Sequence, residues 1–256
     1  MGKIIAVANQ KGGVGKTTTA VNIAAALGIC GKNTLLIDID PQGNATSGVG
    51  IDKRKVEVSS YDVLVNGATA KDSVVHTPFS RLDLLPSSLD LAAADLALAD
   101  MSEREFILKK AVSPVRGSYD YIIVDCPPSL GLVTLNALTL ADTILVPIQC
   151  EFYALEGLSQ LISTVRRVKR QFNSMIDIEG VLLTMYDGRL NLTQQVVEEV
   201  KRFFPRKVFS TVIPRSVRIS EAPSHGKPIM YYDRCNRGSD AYMALAKEII
   251  RKNQVN

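Results

Sequence analysis

The chain has 256 residues, of which 46% are hydrophobic and 22% charged, with a formal net charge of +4. This composition excludes a disordered chain, a collagen and a coiled coil, and no stretch approaches the roughly 18–20 apolar residues of a membrane span. The four cysteines include no Cys-x-x-Cys pair. We therefore expect neither a disulfide framework nor a zinc site, and a cytoplasmic location.

Positive charge is concentrated in the second half of the chain. Residues 1–150 carry 13 lysines and arginines against 15 acidic residues, whereas residues 151–256 carry 17 against 11. A basic half indicates a polyanionic partner, although many basic surfaces are simply solvated.

Short apolar runs alternate with amphipathic stretches along the chain. The predicted strands are residues 3–9, 34–39, 82–85, 119–125, 143–148, 178–184 and 207–213. Helices are predicted over residues 16–30 and 239–252. Apolar side chains at helical spacing predict two more, around residues 158–172 and 196–204. A capping box formed by Ser102 and Glu105 predicts the start of another helix. This alternation predicts an α/β fold, a mostly parallel twisted sheet with helices on both faces. With no repeat or linker, we expect one domain over residues 1–256.

A glycine-rich loop joins the first predicted strand to the first predicted helix. Residues 11–18 read KGGVGKTT, and such glycines let backbone N–H groups approach phosphate oxygens at a helix N-terminus. In this arrangement Lys16 reaches the β- and γ-phosphates, and the Thr17 hydroxyl ligates Mg²⁺. The predicted nucleotide-binding residues of the loop are Lys11, Gly12, Gly13, Val14, Gly15, Lys16, Thr17 and Thr18.

Two predicted strands end in acidic residues, at the edge of the sheet where ligands bind in open α/β folds. Asp38 and Asp40 are two residues apart and share one face of an extended strand; two turn-forming aspartates beside Pro41 are the alternative interpretation. Asp125 ends another apolar run. A lone buried carboxylate needs a cation partner, which Mg²⁺ would supply.

The loop departs from the usual phosphate-loop pattern in two ways. Gln10 stands where that pattern begins with glycine, and an extra lysine, Lys11, precedes Lys16 by five residues. This form resembles the deviant Walker A box of the ParA/MinD superfamily of P-loop ATPases. The resemblance to the ParA/Soj chromosome-partitioning branch runs almost end to end, and it includes residues 43–48, 150–157 and 212–228.

The resemblance implies an ATP- and Mg²⁺-dependent ATPase that forms a nucleotide-sandwich homodimer. Lys11 would reach the phosphates of the other subunit, and Gly12 would sit where the two loops face each other. The implied catalytic residues are Lys11, Lys16 and Asp40, where Asp40 orients the attacking water. The implied metal-site residues are Thr17, Asp38 and Asp125, and the implied adenine and ribose contacts are Pro214 and Ser216.

The resemblance also implies nonspecific binding to double-stranded DNA, a ParB-type centromere-binding partner and nucleoid association. The candidate DNA contacts are Arg189, Lys201, Arg218 and Lys227, and for each the alternative is a solvated surface charge. The chain starts at its first strand, without the helix-turn-helix extension of larger plasmid ParA proteins. We therefore expect binding through phosphate contacts, which carry no base information.

A MinD-like membrane-associated positioning ATPase is the alternative function. It needs a basic amphipathic C-terminal helix that binds lipid, whereas the apolar residues of the last predicted helix indicate a helix packed on the core. No membrane partner is therefore expected. A third possibility, a non-hydrolysing scaffold, is disfavoured because Asp40 and Lys11 are both present.

Overall fold

The computed structural model describes residues 1–150 and 154–254. Within them one sheet contains β1 Lys3–Val7, β2 Thr34–Asp38, β3 Val75–His76, β4 Leu82–Leu85, β5 Tyr121–Asp125, β6 Thr143–Gln149 and β7 Asp177–Thr184. The helices are α1 Lys16–Ile29, α2 Asn44–Gly48, α3 Ser60–Val65, α4 Ala70–Ser73, α5 Ala94–Leu98, α6 Ile107–Val112, α7 Leu132–Leu140, α8 Ala154–Gln171, α9 Asn191–Phe203, α10 Val217–Glu221, α11 Ile229–Tyr232 and α12 Arg237–Gln254.

The strand order is β3-β4-β2-β5-β1-β6-β7. Every neighbouring pair is parallel except β3 and β4, which are antiparallel. The central strands are buried on both faces, as their uninterrupted apolar sequences require. The predicted mostly parallel α/β fold is confirmed.

The two faces of the sheet carry two separate cores because successive strand residues point to opposite sides. On β1, Ile4 and Ala6 belong to one core, while Ile5 and Val7 belong to the other. Helices α3 and α5–α9 cover the first face, and α1, α2 and α10–α12 cover the second.

The last helix packs on the core as its pattern predicts. Helix α12 buries Tyr242, Leu245 and Ile249 against the face of the sheet that α1 also covers. None of the helices within the described residues has both the length and the apolar character needed to cross a membrane.

The strand predicted at residues 207–213 is wrong. This segment follows β7 through two isolated bridges, one between Val181 and Val208 and one between Tyr186 and Pro214. Between the bridges, the amides of Ser210 and Thr211 donate to the carboxylate of Glu248 on α12 rather than to a neighbouring strand. An acidic side chain from a distant helix therefore interrupts the ladder.

The capping box predicted at Ser102 and Glu105 is also wrong. Glu103 has a φ of 50°, so the chain turns there and α6 begins only at Ile107. The amide of Leu108 in its first turn donates to Oδ1 of Asn136 on α7 at 3.1 Å. Asn136 is fully buried and also donates to the Arg104 carbonyl at 2.7 Å, so the cap comes from another helix.

We predict that Asn136→Ala lowers the free energy of unfolding by about 2–3 kcal/mol, because buried backbone groups lose their partner. Ser102 is exposed and does not cap α6, so Ser102→Ala should change the free energy of unfolding by less than about 0.5 kcal/mol. Urea unfolding of both variants measures the difference. Equal losses would show that Ser102 does cap the helix in solution.

Candidate functional site

The phosphate loop lies between β1 and α1, at the carboxyl edge of the sheet. Gly13 and Gly15 have φ values of 75° and 83°, in the left-handed region that favours glycine. The first hydrogen bond of α1 runs from the Thr19 amide to the Gly15 carbonyl at 2.9 Å. The amides that precede it project from the helix end, where they form an anion site.

Two polar side chains form hydrogen bonds between this loop region and the strands β6 and β7. Asn9 donates from Nδ2 to the Pro147 carbonyl at 2.7 Å and accepts at Oδ1 from the Lys11 amide at 3.1 Å. Thr184, the last residue of β7, donates from its hydroxyl to the Val14 carbonyl at 2.9 Å. These hydrogen bonds attach the loop to β6 and β7. Sequence reasoning missed both residues, although a polar residue at the end of an apolar run is a usable signal.

Lys16 lies within the site with only 7% of its surface exposed. Its ammonium turns back over the loop and donates to the Lys11 carbonyl at 3.0 Å. Burial lowers its pKa, and the nearby carboxylates of Asp125 and Asp40 oppose this effect. A desolvated ammonium held across a ring of backbone amides is suited to a phosphate anion.

The acidic residues lie on adjacent strands beside the loop. Asp38 and Asp125 are the last residues of β2 and β5 and are direct neighbours in the parallel ladder. Asp125 also lies opposite Val7, the last residue of β1, from which the chain enters the loop. The sheet therefore brings the predicted acids and the phosphate loop together.

Asp125 is fully buried, and neither of its carboxylate oxygens has a hydrogen-bond partner among the residues that the structure describes. Burial raises its pKa well above the usual range; the Asp38 carboxylate adds to this, and Thr17 and Lys16 oppose it. An orphaned buried carboxylate of this kind fits a cation, because the ion would supply the missing counter-charge.

Asp38 has a different environment although it is equally buried. Its Oδ1 accepts from the Asp40 amide at 3.1 Å, and its Oδ2 accepts from the amide and hydroxyl of Thr46 at 2.8 and 2.7 Å. Burial raises its pKa to about 6. Both oxygens are thus hydrogen-bonded within the chain, whereas those of Asp125 have no partner among the described residues.

Asp40 faces an open cleft. Its Oδ1 accepts from the Gln42 amide at 2.9 Å, and its side chain lines a cavity of about 350 Å³ together with Pro127 and Pro128. The Asp40 carboxylate is also close enough to the Lys16 ammonium to raise the pKa of that lysine, so it lies near the phosphate loop.

The residues that would hold Mg²⁺ are few. Within residues 1–150 and 154–254, no three histidine, cysteine or acidic side chains converge as a metal cluster. Mg²⁺ usually binds through one or two carboxylates, a hydroxyl and substrate phosphates rather than an all-protein cage. Asp125 and Thr17, in the first turn of α1, fit such a site.

A second cleft lies on the other side of the loop. Pro214 and Ser216 line a cavity of about 170 Å³ together with Gly15, Thr18 and Tyr242. The structure therefore brings the two residues expected at adenine and ribose next to the phosphate loop.

The candidate DNA contacts fall into two groups. The amide of Tyr186 donates to the Ile213 carbonyl at 2.9 Å, and this pairing brings the segments carrying Arg189 and Arg218 side by side. Both arginines are exposed, and both are ion-paired, Arg189 with Asp187 at 2.7 Å and Arg218 with Glu221 at 3.0 Å.

The two lysines lie on other parts of the chain. Lys201 is in the last turn of α9, about 15 Å of helix beyond Asn191. Lys227 is exposed in a groove that also contains Thr17 and Ser47.

Of the resembling stretch at residues 150–157, residues 151–153 lie outside the described residues.

We predict that Asp125 makes stability depend on pH when no divalent cation is present. Its folded-state pKa is raised, so its contribution is fully present below about pH 4, the unfolded pKa. The contribution is then lost as the pH rises through the raised value. The unfolding free energy of the wild type relative to Asp125→Asn should therefore fall as the pH rises above about 4 in urea titrations with EDTA. A difference that does not vary with pH would contradict this assignment.

The comparisons with known proteins agree with this geometry. A family model described as an AAA domain matches residues 2–178. The chain is 58% identical to the sporulation initiation inhibitor protein Soj of Bacillus subtilis (strain 168), over 97% of this chain and 98% of that protein. It is 49% identical to the chromosome partitioning protein ParA of Myxococcus xanthus (strain DK1622), over 99% of this chain and 89% of that protein.

Solved structures show the same fold. The crystal structure of cobyrinic acid a,c-diamide synthase from Mycobacterium smegmatis with bound ADP and magnesium matches with a TM-score of 0.88 and 37% identity, over 99% of this chain and 96% of that chain. The cell division ATPase MinD of Pyrococcus furiosus matches with a TM-score of 0.82 and 27% identity, over 98% of this chain and all of that chain. From its deviant phosphate loop to its last helix, the chain belongs to the ParA/Soj family of chromosome-partitioning ATPases.

Proposed function

We propose that this chain, acting as a single domain, is an ATP-dependent dimerising switch. It binds nonspecific DNA as a dimer and hydrolyses ATP, with a ParB-type partner, to move a chromosome or plasmid. The main support is the juxtaposition of the phosphate loop with two differently held acids, the orphaned Asp125 and the cleft-facing Asp40.

ATP and Mg²⁺ fit the residues of the site. The loop amides and Lys16 would hold the phosphates, and Pro214 and Ser216, which line the cavity beside Gly15, would border the base and sugar. Thr17 and Asp125 would hold Mg²⁺, which neutralises charge on the β- and γ-phosphates. The resemblance assigns Asp38 to this site as well, where it would support Mg²⁺ and its surroundings while its two oxygens accept hydrogen bonds from Asp40 and Thr46.

Hydrolysis is an in-line attack of water on the γ-phosphorus, and the chain contributes mainly position and charge. Asp40, whose carboxylate lies near the Lys16 ammonium, orients the water. Lys16 stabilises the negative charge that develops on the transferred group. Lys11 does the same from the other subunit, so the complete site exists only in the dimer.

A DNA partner is better supported than a membrane partner. The apolar face of α12 is buried in the core, so it does not offer the lipid-binding surface that a MinD-like function needs. The basic segments at Arg189 and Arg218 adjoin each other, and twofold symmetry would double them along one surface.

Gly12→Val should bind ATP and remain monomeric. A Cβ at Gly12 meets nothing within 4 Å in the single chain, so the variant should fold, and the added side chain would clash only where two loops face each other. Gly117→Val is the matched control, since Gly117 also has open space and lies at the other edge of the sheet. Light scattering with ATP measures the mass, and a normal dimer of Gly12→Val would refute this interface.

Arg218→Glu should abolish DNA retention while ATP affinity and dimerisation are kept. Arg218 sits beside Glu221 and Asp233, so charge reversal makes an acidic cluster that repels phosphates. The control is Arg81→Glu, an equal reversal at an exposed residue before β4, at the opposite edge of the sheet. For the wild type, the DNA affinity should require ATP and fall steeply with salt.

Two outcomes would contradict the role of Arg218. Joint loss of ATP affinity and DNA binding would assign it to the nucleotide cleft, which Arg215 and Ser216 line. Unchanged DNA retention would remove it from both sites.

A further inference from the structure

A closed ring of hydrogen bonds lies behind Asp40. The Asp40 amide donates to Asp38 Oδ1 at 3.1 Å, and Asp38 Oδ2 accepts from the Thr46 hydroxyl at 2.7 Å. The Thr46 hydroxyl accepts from the Ser87 amide at 3.0 Å. The ring closes where the Ser87 hydroxyl donates to the Asp40 carbonyl at 2.5 Å.

The ring joins three separate parts of the chain. Asp38 and Asp40 belong to the end of β2, Thr46 lies in α2, and Ser87 follows β4 by two residues. Asp38, Thr46 and Ser87 are all fully buried. Because water cannot replace a buried partner, each bond of the ring is costly to leave unmade.

Thr46 is the central member of the ring. Its hydroxyl donates to one neighbour and accepts from another, so one oxygen connects the Asp38 carboxylate to the Ser87 backbone. Through these two residues the ring holds Asp40 at both its amide and its carbonyl. Fixing the two peptide groups that flank a residue fixes the direction in which its side chain leaves the backbone.

We propose that Thr46 is a positioning residue for ATP hydrolysis, which acts through Asp38 and Ser87 to aim the Asp40 carboxylate at the attacking water. This inference rests on the proposed water-orienting role of Asp40. Thr46 is fully buried and lines neither the Pro214 cavity, nor the Asp40 cavity, nor the groove that contains Thr17 and Ser47. Its loss should therefore impair turnover while ATP binding is preserved.

The test compares Thr46→Val, Thr46→Ser and the matched control Thr34→Val in the full chain. Thr34 is equally buried, lies at the opposite end of β2, and uses its hydroxyl to donate to the Lys32 carbonyl at 3.1 Å. Phosphate release with ATP, Mg²⁺ and double-stranded DNA gives kcat and KM. Titration calorimetry gives the ATP affinity, and thermal unfolding reports the fold.

Thr46→Val should lower kcat about tenfold or more, because a small misplacement of a reacting group has a large effect on rate. Its KM and ATP affinity should stay within about threefold of the wild type, as for a group that acts only in the transition state. Thr46→Ser keeps the hydroxyl and should restore kcat to within about threefold of the wild type, and Thr34→Val should match the wild type to the same extent.

Ser87→Ala is the second probe, and it decides the question if Thr46→Val does not fold. It removes the bond to the Asp40 carbonyl and keeps the backbone amide that donates to Thr46, so it should also lower kcat without raising KM. Unchanged kcat in the folded variants would overturn the proposal, and so would failure of Thr46→Ser to restore it.

Asp40→Ala distinguishes this proposal from the proposed function. If Asp40→Ala hydrolyses ATP normally, the water-orienting role itself is wrong. If Asp40→Ala is inactive while Thr46→Val and Ser87→Ala turn over normally, only the positioning role of the ring is wrong.

Discussion

The burial of carboxyl groups at one edge of the sheet is the constraint on which the rest of this structure depends. Asp38 and Asp125 end neighbouring strands with no exposed surface, and Asp40 follows with 8%. Charges in such a place need donors or cations. The chain provides donors for Asp38 and a nearby ammonium, that of Lys16, while Asp125 is left with neither oxygen hydrogen-bonded within the described residues.

This division of the carboxylates gives each acid a different chemical character. Asp38 accepts hydrogen bonds from the amides of Asp40 and Thr46, and Asp40 lines a cavity. Neither carboxylate oxygen of Asp125 has a hydrogen-bond partner among the described residues. The parallel sheet makes the arrangement possible, because parallel strands deliver their last residues to one edge. The phosphate loop leaves the same edge from β1, so the acids and the anion site share one space.

Much of this was predictable from the sequence, and the reasons are physical. The central strands are long apolar runs, so they are recognisable without tertiary information, and the loop and the acids follow them directly. The errors have a common cause. Asn136 caps α6 in place of Ser102, and Glu248 takes the amides that would extend a strand at residues 207–213; both side chains are remote in sequence. Likewise, no local pattern indicates that Thr46 and Asp38 meet.

The bridge between Tyr186 and Pro214 has a thermodynamic consequence. It connects the wall of the cavity beside Gly15 to the segments that carry Arg189 and Arg218. In the proposed function, ordering that cavity around a nucleotide would also reduce the conformational entropy of those segments, and less would remain to be lost when they meet DNA. Linkage of this kind is reciprocal, so DNA binding at the arginines would increase the affinity for the nucleotide by the same free energy.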